Sequence, residues 1–147
     1  MHWGSVRVLV AALLMAAVVA SFAAPATAQS TFTARVHTHP KLSVTITPER
    51  SMRVWVKFPT RFQSLDMVCL SFAFQGDLFD PGEHLYIQDF GGFINVGSTS
   101  QTSRTLCVVY QPTLSQFLDG KQRLIVVMES GSVRISSLTA TATGIPK

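Results

Sequence analysis

Apolar and polar side chains alternate with a period of two along most of the chain. The clearest runs are residues 42–46, 52–58, 68–74 and 106–110, whereas residues 124–128 are apolar on both faces and predict a central strand buried on both sides. In an extended strand, successive side chains point to opposite faces, so this period indicates strands with one buried face. Shorter runs at residues 32–37, 84–87 and 93–96 have the same character. The pattern therefore predicts a chain built mainly of β-strands.

Turn-forming residues separate these runs. Asp80-Pro81-Gly82, Gly91-Gly92 and Asp119-Gly120 are examples, and such sequences favour tight turns. One helical turn is predicted, capped by Thr113, wound over residues 114–118 and ended by Gly120. Eight or nine short strands with frequent turns predict an all-β, antiparallel β-sandwich of jelly-roll type.

The last run changes phase in its middle. Its apolar residues occupy odd positions at Val133 and Ile135 but an even position from Leu138 onward. A slip of one residue would turn a whole face outward unless one extra residue is accommodated. We therefore expect a β-bulge at Ser136-Ser137.

The first 28 residues have the three parts of a secretory signal. Arg7 gives a basic start, residues 8–20 are continuously apolar, and Ala26-Thr27-Ala28 matches an A-x-A cleavage site. The apolar run is shorter than the roughly 20 residues that a membrane-spanning helix needs. We expect cleavage between Ala28 and Gln29, and a secreted or periplasmic product without a transmembrane segment.

The mature chain, residues 29–147, has the length of one domain. Its net charge is mildly positive, since the full chain carries +4 and Arg7 leaves with the signal peptide. Nucleic-acid binding calls for a basic stripe with interleaved aromatic residues, so nucleic acid is not an expected partner.

Two cysteines lie in the exported part of the chain, Cys69 and Cys107. An even number in an oxidising compartment favours one disulfide. Each cysteine lies within an apolar run, which suggests that the bond crosses the core.

An acidic segment contains Asp77, Asp80 and Glu83, and Asp89 follows soon after. Calcium takes six to eight oxygen ligands, which loop carboxylates and carbonyls can supply, so these four residues form a candidate calcium site. The spacing is not that of an EF-hand, and a solvated turn is the simpler interpretation. No other cofactor is expected.

Trp55 lies on the polar face of its predicted strand, between Arg53 and Lys57. An exposed indole can stack on a sugar ring, and the flanking cations can bind hydroxyls or a carboxylate. Tyr86 and Phe90 belong to a second aromatic cluster near the acidic segment. All five are candidate ligand-binding residues, although burial in the core is the commoner fate of a large aromatic side chain.

His37 and His39 share a strand face, which is a spacing that can hold zinc. A zinc site needs three or four ligands, and no further ligand can be named from the sequence. This pair alone therefore falls short of a predicted metal site.

Catalytic motifs such as HExxH, GxSxG, Walker-type or GxGxxG sequences are absent, and the protein is not expected to be an enzyme. The preferred hypothesis is an exported binding module for a glycan or another cell-surface polymer. One alternative is a structural or self-assembling surface or coat subunit, which would use the stretch at residues 97–103 or the face of Thr139, Thr141 and Thr143. A second alternative is a small periplasmic enzyme inhibitor.

Overall fold

A computed structural model describes residues 28–76, 84–91, 93–95 and 103–147, the residues 93–95 by their backbone. This part of the chain contains ten strands and one short helix, α1 at Gln111–Ser115. The strands are β1 Ser30–Thr33, β2 Arg35–His39, β3 Thr45–Ile46, β4 Met52–Lys57, β5 Phe62–Gly76, β6 His84–Ile87, β7 Phe93–Asn95, β8 Ser103–Val108, β9 Lys121–Met128 and β10 Val133–Pro146. The predicted signal peptide lies outside the described residues, except for Ala28.

The strands form two five-stranded sheets. Sheet A has the order β1-β10-β5-β8, and β3 also pairs with β10. Sheet B has the order β2-β4-β9-β6-β7. Every strand pairing in both sheets is antiparallel. The prediction of an all-β, antiparallel structure is therefore confirmed.

The apolar positions of the alternating runs are buried. Met52, Val54 and Val56 of β4 are at most 1% exposed, whereas the residues between them are exposed. Leu70 of β5 in sheet A and Val126 of β9 in sheet B belong to the same core cluster. One hydrophobic core therefore receives side chains from both sheets, and the opposite face of each sheet is turned outward.

The chain changes sheets where the sequence predicted a single strand over residues 32–37. The Ala34 amide still donates to the Ala140 carbonyl of sheet A, and β2 of sheet B begins at Arg35. The predicted strand at residues 42–46 is shorter too, because Ser43 has a φ of 71° and only Thr45–Ile46 pairs. The prediction of eight or nine strands was therefore wrong, since the divided run brings the described strands to ten.

Helix α1 begins earlier than predicted. Its N-cap is Tyr110, Pro112 lies in its first turn, and Thr113 is a buried helical residue rather than the cap. The first amides of a helix make no intrahelical hydrogen bond, so a proline, which has no amide hydrogen, fits in the first turn. Gly120 follows with a φ of 75°, a conformation that glycine adopts without strain. No helix within the described residues is long and apolar enough to cross a membrane.

The predicted bulge and disulfide are both present. The register between β10 and β5 shifts between Ile135 and Ser137, as the phase of the sequence required. Cys69 and Cys107 are bonded, with their Cα atoms 4.0 Å apart. They lie directly opposite each other on the neighbouring strands β5 and β8, so the expectation that the bond crosses the core was wrong.

The position of the disulfide follows from the alternation itself. Val68 and Leu70 point into the core, so Cys69 between them points outward and is 9% exposed. Cys107 is exposed, while its neighbour Val108 is buried. The bond therefore joins two strands of sheet A on its outer face.

Candidate functional site

Trp55 lies near the centre of the outer face of sheet B. Its strand, β4, has β2 on one side and β9 on the other. The register places His37 of β2 and Arg123 of β9 directly opposite Trp55. The indole is 40% exposed, as its place on the polar face of the strand predicted.

Basic side chains surround Trp55 on this face. Two residues away on its own strand are Arg53 and Lys57, and the neighbouring strands supply six more positions. The eight nearest positions are occupied by Arg35, His37, His39, Arg53, Lys57, Lys121, Arg123 and Ile125. We call Trp55 and these eight residues the basic face. Seven of the eight neighbours are arginine, lysine or histidine, so a single aromatic ring is enclosed by positive or protonatable groups.

The cations of the basic face are not neutralised by the described part of the protein. Arg35, Lys57 and Lys121 are directly opposite one another across three strands. Like charges in such cross-strand positions destabilise a sheet. Among the described residues the ion pair is His84 with Glu129, and neither belongs to the basic face. The repulsion between these like charges therefore lowers the stability of the folded domain, and a bound anion would reduce it.

The surface around Trp55 is concave. A groove of 560 Å³ is bordered by Trp55, His37 and Arg123, among others, a volume within the range of ligand-binding clefts. A second depression of 440 Å³ shares Arg123 with it, and a third of 360 Å³ shares Lys57. Arg123 and Lys57 therefore each border two depressions, and the groove beside Trp55 has both residues in its lining.

No family model, curated protein or solved structure matches this chain. The chemistry of the site follows from its own residues. An exposed indole offers a flat apolar surface to a ring, and guanidinium groups bind carboxylate, sulfate or phosphate through paired hydrogen bonds. The basic face therefore combines a stacking platform with anion-binding groups.

The candidate ligand-binding residues do not all belong to this face. Arg53, Trp55 and Lys57 lie together at its centre. Tyr86 of β6 is 39% exposed and points outward on the far side of β9, opposite Val127. Phe90 is fully buried and packs edge-to-face on Phe117, with their ring centroids 6.2 Å apart. The prediction of a binding role for Phe90 was wrong, because its side chain belongs to the core.

The structure describes one of the four residues of the candidate calcium site. Asp77, Asp80 and Glu83 lie outside the described residues. Asp89 lies in the turn after β6 with a φ of 62° and borders the depression that contains Arg123. Within the described ranges, no three histidine, cysteine or acidic side chains come together to hold a metal. His37 and His39 lie exposed at the edge of sheet B, and among the described residues no third ligand joins them.

The sequence did not show that Arg35, Lys121 and Arg123 belong to the same site. Arg35 lies on the polar face of the alternating run at residues 32–37, which was a readable signal, whereas Lys121 and Arg123 precede the apolar run at residues 124–128. Their convergence on Trp55 depends on β4 lying between β2 and β9. That strand order is not encoded in any local pattern.

The outer face of sheet A has a different chemistry. Its central rows carry hydroxyl groups, small side chains and the disulfide. These residues are Thr31, Thr33, Met67, Cys69, Ser71, Ala73, Ser103, Thr105, Cys107, Ser137, Thr139, Thr141 and Thr143. We call this set the hydroxyl face. Cross-strand hydroxyl pairs occur within it, with 2.8 Å between the Ser71 and Thr105 oxygens. The hydroxyl face contains no charged residue, in contrast to the basic face of the other sheet.

Proposed function

We propose that the protein is an exported, non-enzymatic binding module that holds a glycan or another cell-surface polymer on the basic face. The observation that carries this proposal is the position of Trp55, half-exposed beside a groove and surrounded by basic side chains. A ring stacks on the indole, while neighbouring cations bind its substituents. The further depressions bordered by Arg123 and by Lys57 leave room for a ligand longer than one sugar ring.

Export forms part of the same proposal. Residues 1–28 act as a cleaved signal peptide that delivers the domain to the periplasm or the outside of the cell. The Cys69–Cys107 disulfide supports this, because such bonds persist in oxidising compartments. The shared core of the two sheets supports a β-sandwich, whose jelly-roll type stays a prediction.

Trp55→Ala is expected to remove most of the glycan binding without unfolding the protein. The loss of a central aromatic anchor costs at least about 2 kcal/mol of binding free energy, which is more than a tenfold change in Kd. The fold is retained because the outer-face indole is not part of the core. A glycan array followed by calorimetry on the ligands it identifies measures the effect.

Two control variants sharpen this test. Trp55→Phe keeps an aromatic surface and should retain part of the affinity, whereas Tyr86→Ala removes an aromatic residue of similar exposure beyond β9. Equal losses of glycan affinity in Trp55→Ala and Tyr86→Ala would show that the binding site is not centred on the basic face. An array without any bound glycan, with a normally folded protein, would contradict the proposed function.

A self-assembling surface or coat subunit is the second candidate, and the hydroxyl face favours it. Thr139, Thr141 and Thr143 lie together on this face, as the sequence predicted. The rows extend across four strands, with Thr141 between Thr33 and Cys69. A second copy could approach this surface without charge repulsion.

Self-assembly predicts a mass that rises with protein concentration in analytical ultracentrifugation. Thr141→Lys places a charge in the middle of the hydroxyl face and should return the protein to a monomer. Tyr86→Lys, on the outer face of sheet B, is a control that should leave the association unchanged. A strictly monomeric protein at every concentration would exclude this candidate.

A further inference from the structure

We propose that the polymer bound on the basic face is an acidic polysaccharide, with one sugar ring over Trp55 and its anionic groups on the surrounding cations. This inference rests on the proposed function and specifies the ligand class. It assigns Arg35, Lys57, Lys121 and Arg123 as the anion-binding residues.

The basic face carries positive charge that the described part of the protein does not compensate. Five of its residues are arginine or lysine, namely Arg35, Arg53, Lys57, Lys121 and Arg123. No carboxylate within the described ranges forms an ion pair with any of them. The hydroxyls of a neutral glycan would leave these charges uncompensated, whereas acidic groups relieve their mutual repulsion.

The cations of the basic face border the depressions around Trp55. The third depression is bordered by Arg35 and Lys57, the central groove by Lys57, Trp55 and Arg123, and the second depression by Arg123. Neighbouring strands lie about 4.8 Å apart, so the region from β2 to β9 is about 10 Å wide before its extensions at either end. Cations thus occur on both sides of the indole, on β2 and on β9. A chain with anionic groups on successive sugars matches this arrangement.

An acidic residue borders one of the depressions. Asp89 lines the depression that contains Arg123, together with Gln88 and Gln122. Its carboxylate makes this depression less favourable for an anionic group than the groove beside Trp55. The anionic groups are therefore assigned to the cations from Arg35 to Arg123 and not to the surface beside Asp89.

Other polyanions fit this face less well. Single-stranded nucleic acid is held by several aromatic platforms on which successive bases stack, whereas the basic face has Trp55 alone. An anionic membrane is bound by an extensive apolar surface beside the cations, and here the apolar members are Trp55 and Ile125. A single aromatic ring among cations is sufficient for a sugar with an acidic substituent.

The test compares polymers that share a backbone and differ in charge. The full chain, with its disulfide intact, is titrated with polygalacturonate and its methyl ester, and with dextran sulfate and dextran. At least one acidic polymer is expected to bind about tenfold or more tightly than its neutral counterpart, because hydrogen bonds to charged groups are the stronger ones. Added salt should weaken this binding, since exposed charges are screened.

Two double variants test which cations bind the acidic groups of the polymer. Lys57→Gln with Lys121→Gln should lower the affinity for the acidic polymer about tenfold or more. Arg134→Gln with Lys147→Gln changes the net charge equally at exposed positions away from the basic face and should leave the affinity nearly unchanged. The melting temperature of the first pair should not fall, because that pair relieves like-charge repulsion within sheet B.

Each outcome bears on a different conclusion. Equal binding of charged and neutral polymers, lost in Trp55→Ala, would overturn the acidic-ligand inference and leave the proposed function intact. Equal losses in both paired variants would overturn the assignment of the anion-binding residues. Tighter binding to single-stranded DNA or to phosphatidylglycerol vesicles would overturn the choice of a polysaccharide, and no binding to any of the four polymers would overturn the inference as a whole. The glycan array remains the separate test of the proposed function.

Discussion

Replacing Phe90 with alanine is expected to lower the free energy of unfolding by about 3–5 kcal/mol, the range for removing a buried phenylalanine side chain. Phe90 is fully buried and contacts Phe117 edge-to-face. Phe117 in turn packs on Phe58, so the truncation leaves a cavity beside a row of rings. Urea unfolding monitored by circular dichroism measures the change.

Tyr86→Ala is the matched control for this prediction. Tyr86 was assigned to the same aromatic cluster from the sequence, but its side chain is 39% exposed. Its removal should cost less than about 1 kcal/mol, as is usual at exposed positions. Similar losses in the two variants would contradict the division of this cluster into a core residue and a surface residue.

Replacing both Cys69 and Cys107 with alanine is expected to lower the free energy of unfolding by about 4 kcal/mol. The cysteines are separated by 38 positions, and the bond restricts the unfolded chain by closing a loop of that length. Cys107 is exposed, so lost core packing contributes little. Denaturant unfolding of the double variant under non-reducing conditions, beside the wild-type protein, measures the effect.

The adjacent pair, Ser71 and Thr105, provides the control. It lies two residues from the disulfide on the same two strands, and its hydroxyl groups are hydrogen-bonded. Ser71→Ala with Thr105→Ala should cost about 1 kcal/mol, since an exposed hydrogen bond contributes little net stability. If the cysteine variant lost no more than this pair, loop closure would not explain the stability of the oxidised protein.

The alternation of the sequence was a reliable guide to which face of a strand is buried. It placed Trp55 outward, and the structure leaves that side chain 40% exposed. The change of phase also required a bulge near Ser136, because without it the apolar side chains of one half of the strand would point away from the core. The same rule, applied strictly to Cys69, would have placed the disulfide on the outside.

The limits of that guide appear where the chain changes sheets. Residues 32–37 alternate without interruption, yet β1 ends at Thr33 and β2 begins at Arg35 in the other sheet. Both strands bury the same side of the run against one core, so the pattern is unaffected by the crossing. The side chain of Phe90 was equally ambiguous, because a residue in a turn has no alternation to show its direction.

The sequence by itself determined the all-β class, the buried positions of most strands, the bulge and the pairing of two cysteines. These properties depend on the period of two and on composition, which are local. Only the tertiary structure decided that β4 lies between β2 and β9, and thereby that Arg35, Lys121 and Arg123 surround Trp55. Strand order depends on contacts between distant segments, and for that reason the basic face became visible only in the folded chain.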